Sequence, residues 1–189
     1  MRAIFLSLAV FAVTTFCSAQ DQIHVGTYSF GGSIQYSSTT YSFSSPALNY
    51  DKTIFVFSPT VTYFAFNRLE IAASLGYTYT TETYKGSILP PSQNSLNSHF
   101  VSAQVGVRYY VPLGNIAPFV GGSYGYGGPT TSVLIPDSYS SLTTLEIGAE
   151  YFFSGSAAFE PAVRYTSISG GIASTKTTFF GIGVKYFLH

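Results

Sequence analysis

The sequence predicts an all-β fold: an eight-stranded antiparallel up-and-down transmembrane β-barrel, with a polar, small-residue lumen and a lipid-facing apolar and aromatic exterior. Three observations predict it. Past residue 22 the apolar residues recur with period two almost everywhere, and Val, Ile, Thr, Tyr and Phe dominate. Charged residues make up 8% of the chain, against 46% hydrophobic and 17% aromatic, whereas a water-facing surface carries roughly 25–35% charge. Finally, the charges that lie well inside the strands all fall on one of the two strand faces.

The N-terminus comes first. Met1-Arg2 is a short basic stretch, residues 3–16 are weakly polar to apolar, and Cys17-Ser18-Ala19 offers small residues before Gln20. This reads as a cleaved signal peptide over residues 1–19, followed by one barrel domain over 20–189. The apolar run is shorter than the ~20 residues of a membrane-spanning helix. Cleavage after Ala19 removes the single cysteine, so neither disulfide nor thiol chemistry is expected. A formal net charge of zero gives no footprint for nucleic acid.

The strands follow in order: roughly 23–37, 53–64, 69–84, 98–111, 116–126, 142–153, 157–166 and 177–188. Three connections are short, at 65–68, 112–115 and 154–156. Four are long, at 38–52, 85–97, 127–141 and 167–176, and rich in Ser, Thr, Asn, Gly and Pro. Short turns on one side and long loops on the other are the habit of membrane barrels.

Parity sorts each strand into two faces. One carries residues such as Phe30, Ile34, Phe57, Val61, Val105, Ile147 and Val184; the other carries Ser, Thr, Gly and Gln. Glu70, Arg108, Glu146, Glu150, Glu160, Arg164 and Lys185 all share the second face. A soluble barrel would put the apolar face inside, but bulky Tyr and Phe need the outer circumference, and Gly, Ser and Thr suit a cramped eight-stranded interior. The stretch "TLEIGAEYFF" (144–153) is then explained. Glu146 and Glu150 face the lumen, and the residues between them face lipid. Four acids and three bases are expected to pair there as a nearly neutral plug, because an unpaired buried charge is costly.

Aromatic residues bracket the apolar band. Phe55 and Tyr63 lie at opposite ends of the second strand. Tyr109, Tyr151, Phe153 and Tyr186 lie near the short-turn end, and Tyr36, Tyr77, Tyr79, Tyr124, Tyr126 and Tyr165 near the long-loop end. This placement is that of an interfacial aromatic girdle.

The segments "SPTVTYFAFNRLEIAASLGY" (58–77) and "VRYYVPLGNIAPFVGGSYGYG" (107–127) are each a strand, a tight turn and a returning strand, and "FFGIGVKYFL" (179–188) is a closing strand. With these, the chain resembles the small eight-stranded outer-membrane barrels of the OmpA/OmpX type over essentially its whole mature length. The resemblance implies a Gram-negative-type outer membrane with both termini in the periplasm. It also implies outer-membrane lipid and the outer-membrane assembly machinery as partners, the latter through the C-terminal strand.

No catalytic residues, metal site or cofactor are expected. His24, His99 and His189 are far apart, whereas a metal site needs converging ligands. His99 neighbours Ser98 and precedes Ser102, but its same-face neighbour on a strand is Val101, so no His–Ser dyad forms. "GGSYGYGG" (121–128) lacks the following helix that a phosphate loop needs. The expected role is therefore structural or surface-interacting. Four long extracellular loops would contact a surface ligand, with apolar tips at Ile88-Leu89 and Val133-Leu134-Ile135, and the ion pairs would close the lumen. The alternative is a narrow porin-like channel for ions or small solutes; an outer-membrane lipid-modifying enzyme is the third reading. A closed barrel has no strand edge that requires a second copy, so a monomer is expected.

Overall fold

The computed structural model describes residues 23–42, 49–85, 95–130, 139–170 and 173–188. Eight strands close into one barrel in sequence order: β1 (Tyr28–Tyr41), β2 (Tyr50–Phe66), β3 (Leu69–Tyr84), β4 (Ser95–Tyr110), β5 (Ile116–Pro129), β6 (Ser140–Ser154), β7 (Ala157–Gly170) and β8 (Ala173–Leu188). Every neighbouring pair is antiparallel, and β1 meets β8 from Tyr28↔Leu188 to Tyr36↔Phe180. Closure leaves no open edge within that span, which is what permits a sheet to sit in lipid. The proposed signal peptide lies outside the described residues.

The parity that sorts the sequence also sorts the structure. Phe30, Ile34, Phe57, Val61, Leu75, Val105, Ile147 and Val184 are all exposed on the outer wall. Residues such as Ser29, Ser33, Thr62, Ser102 and Thr144 are buried inside. An outer wall this apolar is stable only against hydrocarbon.

The short-turn end has tight geometry. Arg68 closes the β2–β3 turn at φ 70°, with a β-bulge between Phe64 and Phe66. Gly114 takes φ 64° in the β4–β5 connection, a left-handed conformation that glycine adopts without a Cβ clash. A second bulge lies between Phe152 and Ser154.

Three expectations need correction. The first strand starts at Tyr28, not residue 23. The segment before it folds under the barrel instead, where Gly26 N donates to Phe64 O at 3.0 Å and Ile23 is buried. The fourth long loop, expected over 167–176, is mostly strand: β7 and β8 stay paired to Gly170↔Ala173, leaving only residues 171–172 between them. The other long connections are shortened too, because β1 and β2 pair up to Tyr41↔Tyr50 and β3 and β4 up to Thr83↔Ser95. Polar Ser and Thr on strands that rise into water resemble loop composition, so the expected ends of most strands, β3 excepted, fall at the end of the apolar band. The apolar tips at Ile88-Leu89 and Val133-Leu134-Ile135 lie outside the described residues.

Candidate functional site

The lumen has three tiers. The lowest, at the short-turn end, is apolar. Phe64, Tyr110, Phe119, Phe152 and Phe187 point inward and are almost fully buried, together with Ile23, Ala117, Ala158 and Ala162. Their rings pack in tilted pairs: Phe64–Tyr110 at 5.5 Å, Tyr110–Phe119 at 5.3 Å and Phe152–Phe187 at 5.1 Å between centroids. The expectation that the inner face is small or polar throughout is therefore wrong at this end. All five rings keep the inner-face parity of their strands, and they are large here because the barrel floor needs bulk to exclude water.

Above the aromatic floor lies the ionic tier. Arg108 reaches from β4 across β5 to β6, donating from Nε to Glu146 Oε1 at 2.6 Å, and from NH1 to Glu160 Oε2 at 2.8 Å. Arg164 on β7 donates from Nε to Glu146 Oε2 at 2.9 Å, from NH2 to Glu160 Oε1 at 2.8 Å and from NH1 to Ser33 Oγ at 3.2 Å. Lys185 on β8 donates to Glu70 Oε2 and Glu150 Oε1, both at 2.6 Å, and to the Tyr110 hydroxyl at 3.0 Å. That hydroxyl also lies 2.8 Å from Glu150 Oε1 and 3.1 Å from Glu70 Oε2. The seven charged residues singled out in the sequence are thus brought together in one cluster. Its two guanidinium groups are held mainly by Glu146 and Glu160, and its ammonium by Glu70 and Glu150.

Two members of the tier escaped the sequence reading. Tyr110 supplies the shared hydroxyl, and Phe119 lies under the Arg108 guanidinium at 4.8 Å, a cation–π contact. Tyr110 stands two residues from Arg108 on the same strand, so parity alone places it in the lumen.

The upper tier is a cup of about 280 Å³ that lies above the ionic tier. Its wall includes Ser58, Thr60, Ser74, Ser102, Gln104 and Thr166, with Arg108, Glu146 and Arg164 at its base. Ile54, Val56 and Phe179 form a small apolar cluster higher up. Gln104 Oε1 accepts from Ser123 Oγ at 2.9 Å and from Thr144 Oγ1 at 3.2 Å.

Outside the barrel wall, Tyr36, Phe55, Tyr63, Tyr77, Tyr109, Tyr124, Tyr126, Tyr151, Phe153, Tyr165 and Tyr186 are all exposed, and they lie toward the two ends of the strands. The Tyr124 hydroxyl donates to Tyr126 at 2.9 Å. His99 is on this outer face, where its Nδ1 lies 2.6 Å from the Tyr77 hydroxyl and its ring is 5.2 Å from Tyr79. Ser98 and Ser102 line the lumen instead, so the structure does not bring them together with His99.

The upper ends of β1, β2 and β3 are tied to each other. Lys52 and Glu82 pair at 3.0 Å, and Lys85 and Asp51 at 2.8 Å. Thr40 Oγ1 donates to Asp51 Oδ1 at 2.8 Å. The rings of Tyr41 and Tyr50 stack at 4.6 Å, with Tyr84 5.3 Å from Tyr50. At ~3.3 Å per residue and a ~40° tilt, a strand of β2's length rises roughly 40 Å, against an apolar band of ~25 Å. This end therefore stands in water. The Lys85 hydrogen bond, then that of Thr40, hold the Asp51 carboxyl below its usual range.

Solved outer-membrane barrels share this architecture. OprG of Pseudomonas aeruginosa aligns with a TM-score of 0.60 at 17% identity, covering 89% of this chain and 99% of that one. Neisserial surface protein A aligns at 0.55 and 13%, covering 85% and 96%. The N-terminal barrel domain of Pseudomonas aeruginosa OprF aligns at 0.52 and 12%, covering 87% and 98%. At these identities the similarity concerns the fold. No curated protein matches the sequence. Residues 4–187 match the outer membrane protein beta-barrel domain family, and the chain belongs to that family.

Proposed function

We propose that this protein is a monomeric outer-membrane anchor that closes its own lumen and presents its upper hairpins to the outside. In this reading the outer wall lies in outer-membrane lipid, and β8 is the strand that the outer-membrane assembly machinery handles. The role is structural or surface-interacting, with the β1–β2–β3 hairpins and the connections between strands as the contact region. The observation that carries it is the double seal at the short-turn end. Phe64, Tyr110, Phe152 and Phe187 are each 2% exposed or less, and directly above them lies an ionic tier in which each charged side chain has an oppositely charged partner. An ion would have to strip its hydration shell to pass either layer.

Planar-bilayer recording of the mature chain, from Gln20, tests it. The closed reading expects no stable current steps from protein shown to be folded by its heat-dependent gel mobility. The paired variant Phe64→Ala/Phe152→Ala, which thins the lower seal, is the control for a lumen that can open. Stable steps from the unaltered chain, changed by Arg108→Ala or Glu146→Ala, would establish the channel reading instead.

A further inference from the structure

The cup above the ionic tier is not needed to seal the barrel. An anchor needs only a filled interior, yet about 280 Å³ is left open. At ~30 Å³ per water this is the room of roughly nine waters, enough for one molecule of about a dozen non-hydrogen atoms. Because the lower tiers are packed, a solute reaches the cup from the long-loop end.

The lining dictates the chemistry. At the base, both guanidinium groups are already engaged: Arg108 by Glu146 and Glu160, and Arg164 by the same two acids and Ser33. They have little left to offer a carboxylate or phosphate. Both oxygens of Glu146 are likewise occupied, so a cation finds no open ligand there. Higher up, Lys52 is neutralised by Glu82 at 3.0 Å. The wall between is hydroxyl-rich, through Ser58, Thr60, Ser74, Ser102 and Thr166, and hydroxyls both donate and accept. Phe100 and Phe179 add aromatic surface to the same lining.

Gln104 stands out within this wall. Its carbonyl is fixed by Ser123 and Thr144, which orients the amide group and leaves the NH2 as a donor at the cup wall. A half-buried amide whose oxygen is held by two neighbouring hydroxyls is pre-organised, so it loses little entropy when an acceptor arrives.

From these features we infer that the cup is a binding site for one small uncharged polyol, of monosaccharide size, with the Gln104 amide as its anchoring donor. The hydroxyl wall exchanges hydrogen bonds with the solute's hydroxyls, and Phe100 and Phe179 take its C–H faces. Competition with water keeps the affinity modest, with a dissociation constant of about 1–10 mM.

The test is solution NMR of the full mature chain in dodecylphosphocholine micelles, which carry no sugar. The side-chain amide of Gln104, assigned by its loss in Gln104→Leu, is followed during titration with D-glucose, and with gluconate and glucosamine as charged analogues. The expected result is a saturable shift with glucose in the millimolar range, at least tenfold weaker with either charged analogue. Thr78→Phe, which fills the cup without touching the ionic tier, should abolish it while gel mobility still reports a folded barrel. Three outcomes overturn the proposal: no saturable shift up to about 100 mM, equal shifts with the charged analogues, or an unchanged response in Thr78→Phe. Bilayer conductance is a separate readout, so a current-carrying barrel would leave this result standing or falling by itself.

Discussion

Arg108 and Glu146 are joined over an intervening strand. The residue opposite both is Gly121, paired with Arg108 on one side and Glu146 on the other, and the Arg108 side chain crosses its Cα to put Nε 2.6 Å from Glu146 Oε1. A Cβ on Gly121 would lie 2.7 Å from Arg108 Cγ, 2.8 Å from the Val107 carbonyl oxygen and 3.0 Å from Glu146 Oε1. One of these is backbone and cannot swing aside. Gly121→Ala should therefore destabilise the barrel by about 1–3 kcal/mol, the usual range for overpacking. Equilibrium urea unfolding in lipid vesicles measures this, and an unchanged midpoint would mean that the ion pair does not pass over β5.

The second pair of acids is held chiefly by one cation. Lys185 is the ammonium donor to both Glu70 and Glu150, while Glu70 Oε1 and Glu150 Oε2 are buried without a hydrogen bond. Lys185→Met leaves Glu150 without a cation and Glu70 with only the 3.6 Å contact to Arg108 NH1, and the Tyr110 hydroxyl shared between the two acids. Removing one partner of a buried pair costs about 3–5 kcal/mol, and the same loss is expected here. Glu150→Gln should cost much less, because the cluster holds four acids against three bases and the amide retains an acceptor for Lys185. Unfolding midpoints that rank the two variants in the opposite order would refute this account of the charge balance.

Most of the fold was legible because the two sides of the wall face such different media. Lipid on one side and a cramped interior on the other force a strict alternation, and β3 was read to its exact ends at Leu69 and Tyr84. The same contrast misled where it fades. Above the bilayer both faces meet water, so the Ser and Thr of residues 167–176 signalled a loop where β7 and β8 continue. At the floor both faces are apolar; parity still puts Phe64, Phe152 and Phe187 inside, but an inner face expected to be small or polar passes over them. The seven charges were legible from parity alone. That they would pair was expected too; which acid meets which base was not, because Arg108 meets Glu146 two strands away, a distance set by closure and by Gly121.

The outer wall gives a depth-dependent prediction. Val105 is 62% exposed and sits midway along β4, between Val101 and Tyr109. Thr178 is exposed on the outer face of β8, two residues above Phe180. An arginine near the bilayer midplane of a barrel wall costs about 2–4 kcal/mol, falling to about 0–1 near the interface. Val105→Arg should lower the unfolding free energy in vesicles by the larger amount and Thr178→Arg by the smaller. Equal effects at the two positions would show that the wall does not sit in lipid at this height.

The last prediction concerns pH at the water-exposed tip. Asp51 accepts from Lys85 and Thr40, and these bonds lower its carboxyl pKa. A group whose folded pKa is depressed adds stability above its unfolded pKa, and that contribution disappears as pH falls through the folded pKa. The β1–β2 tip should therefore hold its pairing at neutral pH and loosen only in acid, below the usual carboxylate range of about 3.9. Because Asp51 is exposed, the effect is local and screened by salt. A carbon-detected NMR titration of the Asp51 carboxyl should find its midpoint below that of an ordinary aspartate, and Lys85→Ala should raise it. Losing Lys85 removes the first and largest cause of the shift, so Thr40→Val should move the midpoint in the same direction by less. A midpoint indifferent to Lys85→Ala would mean that the 2.8 Å contact does not persist in solution, and with it the idea that the hairpin tips are held rigid for surface contact.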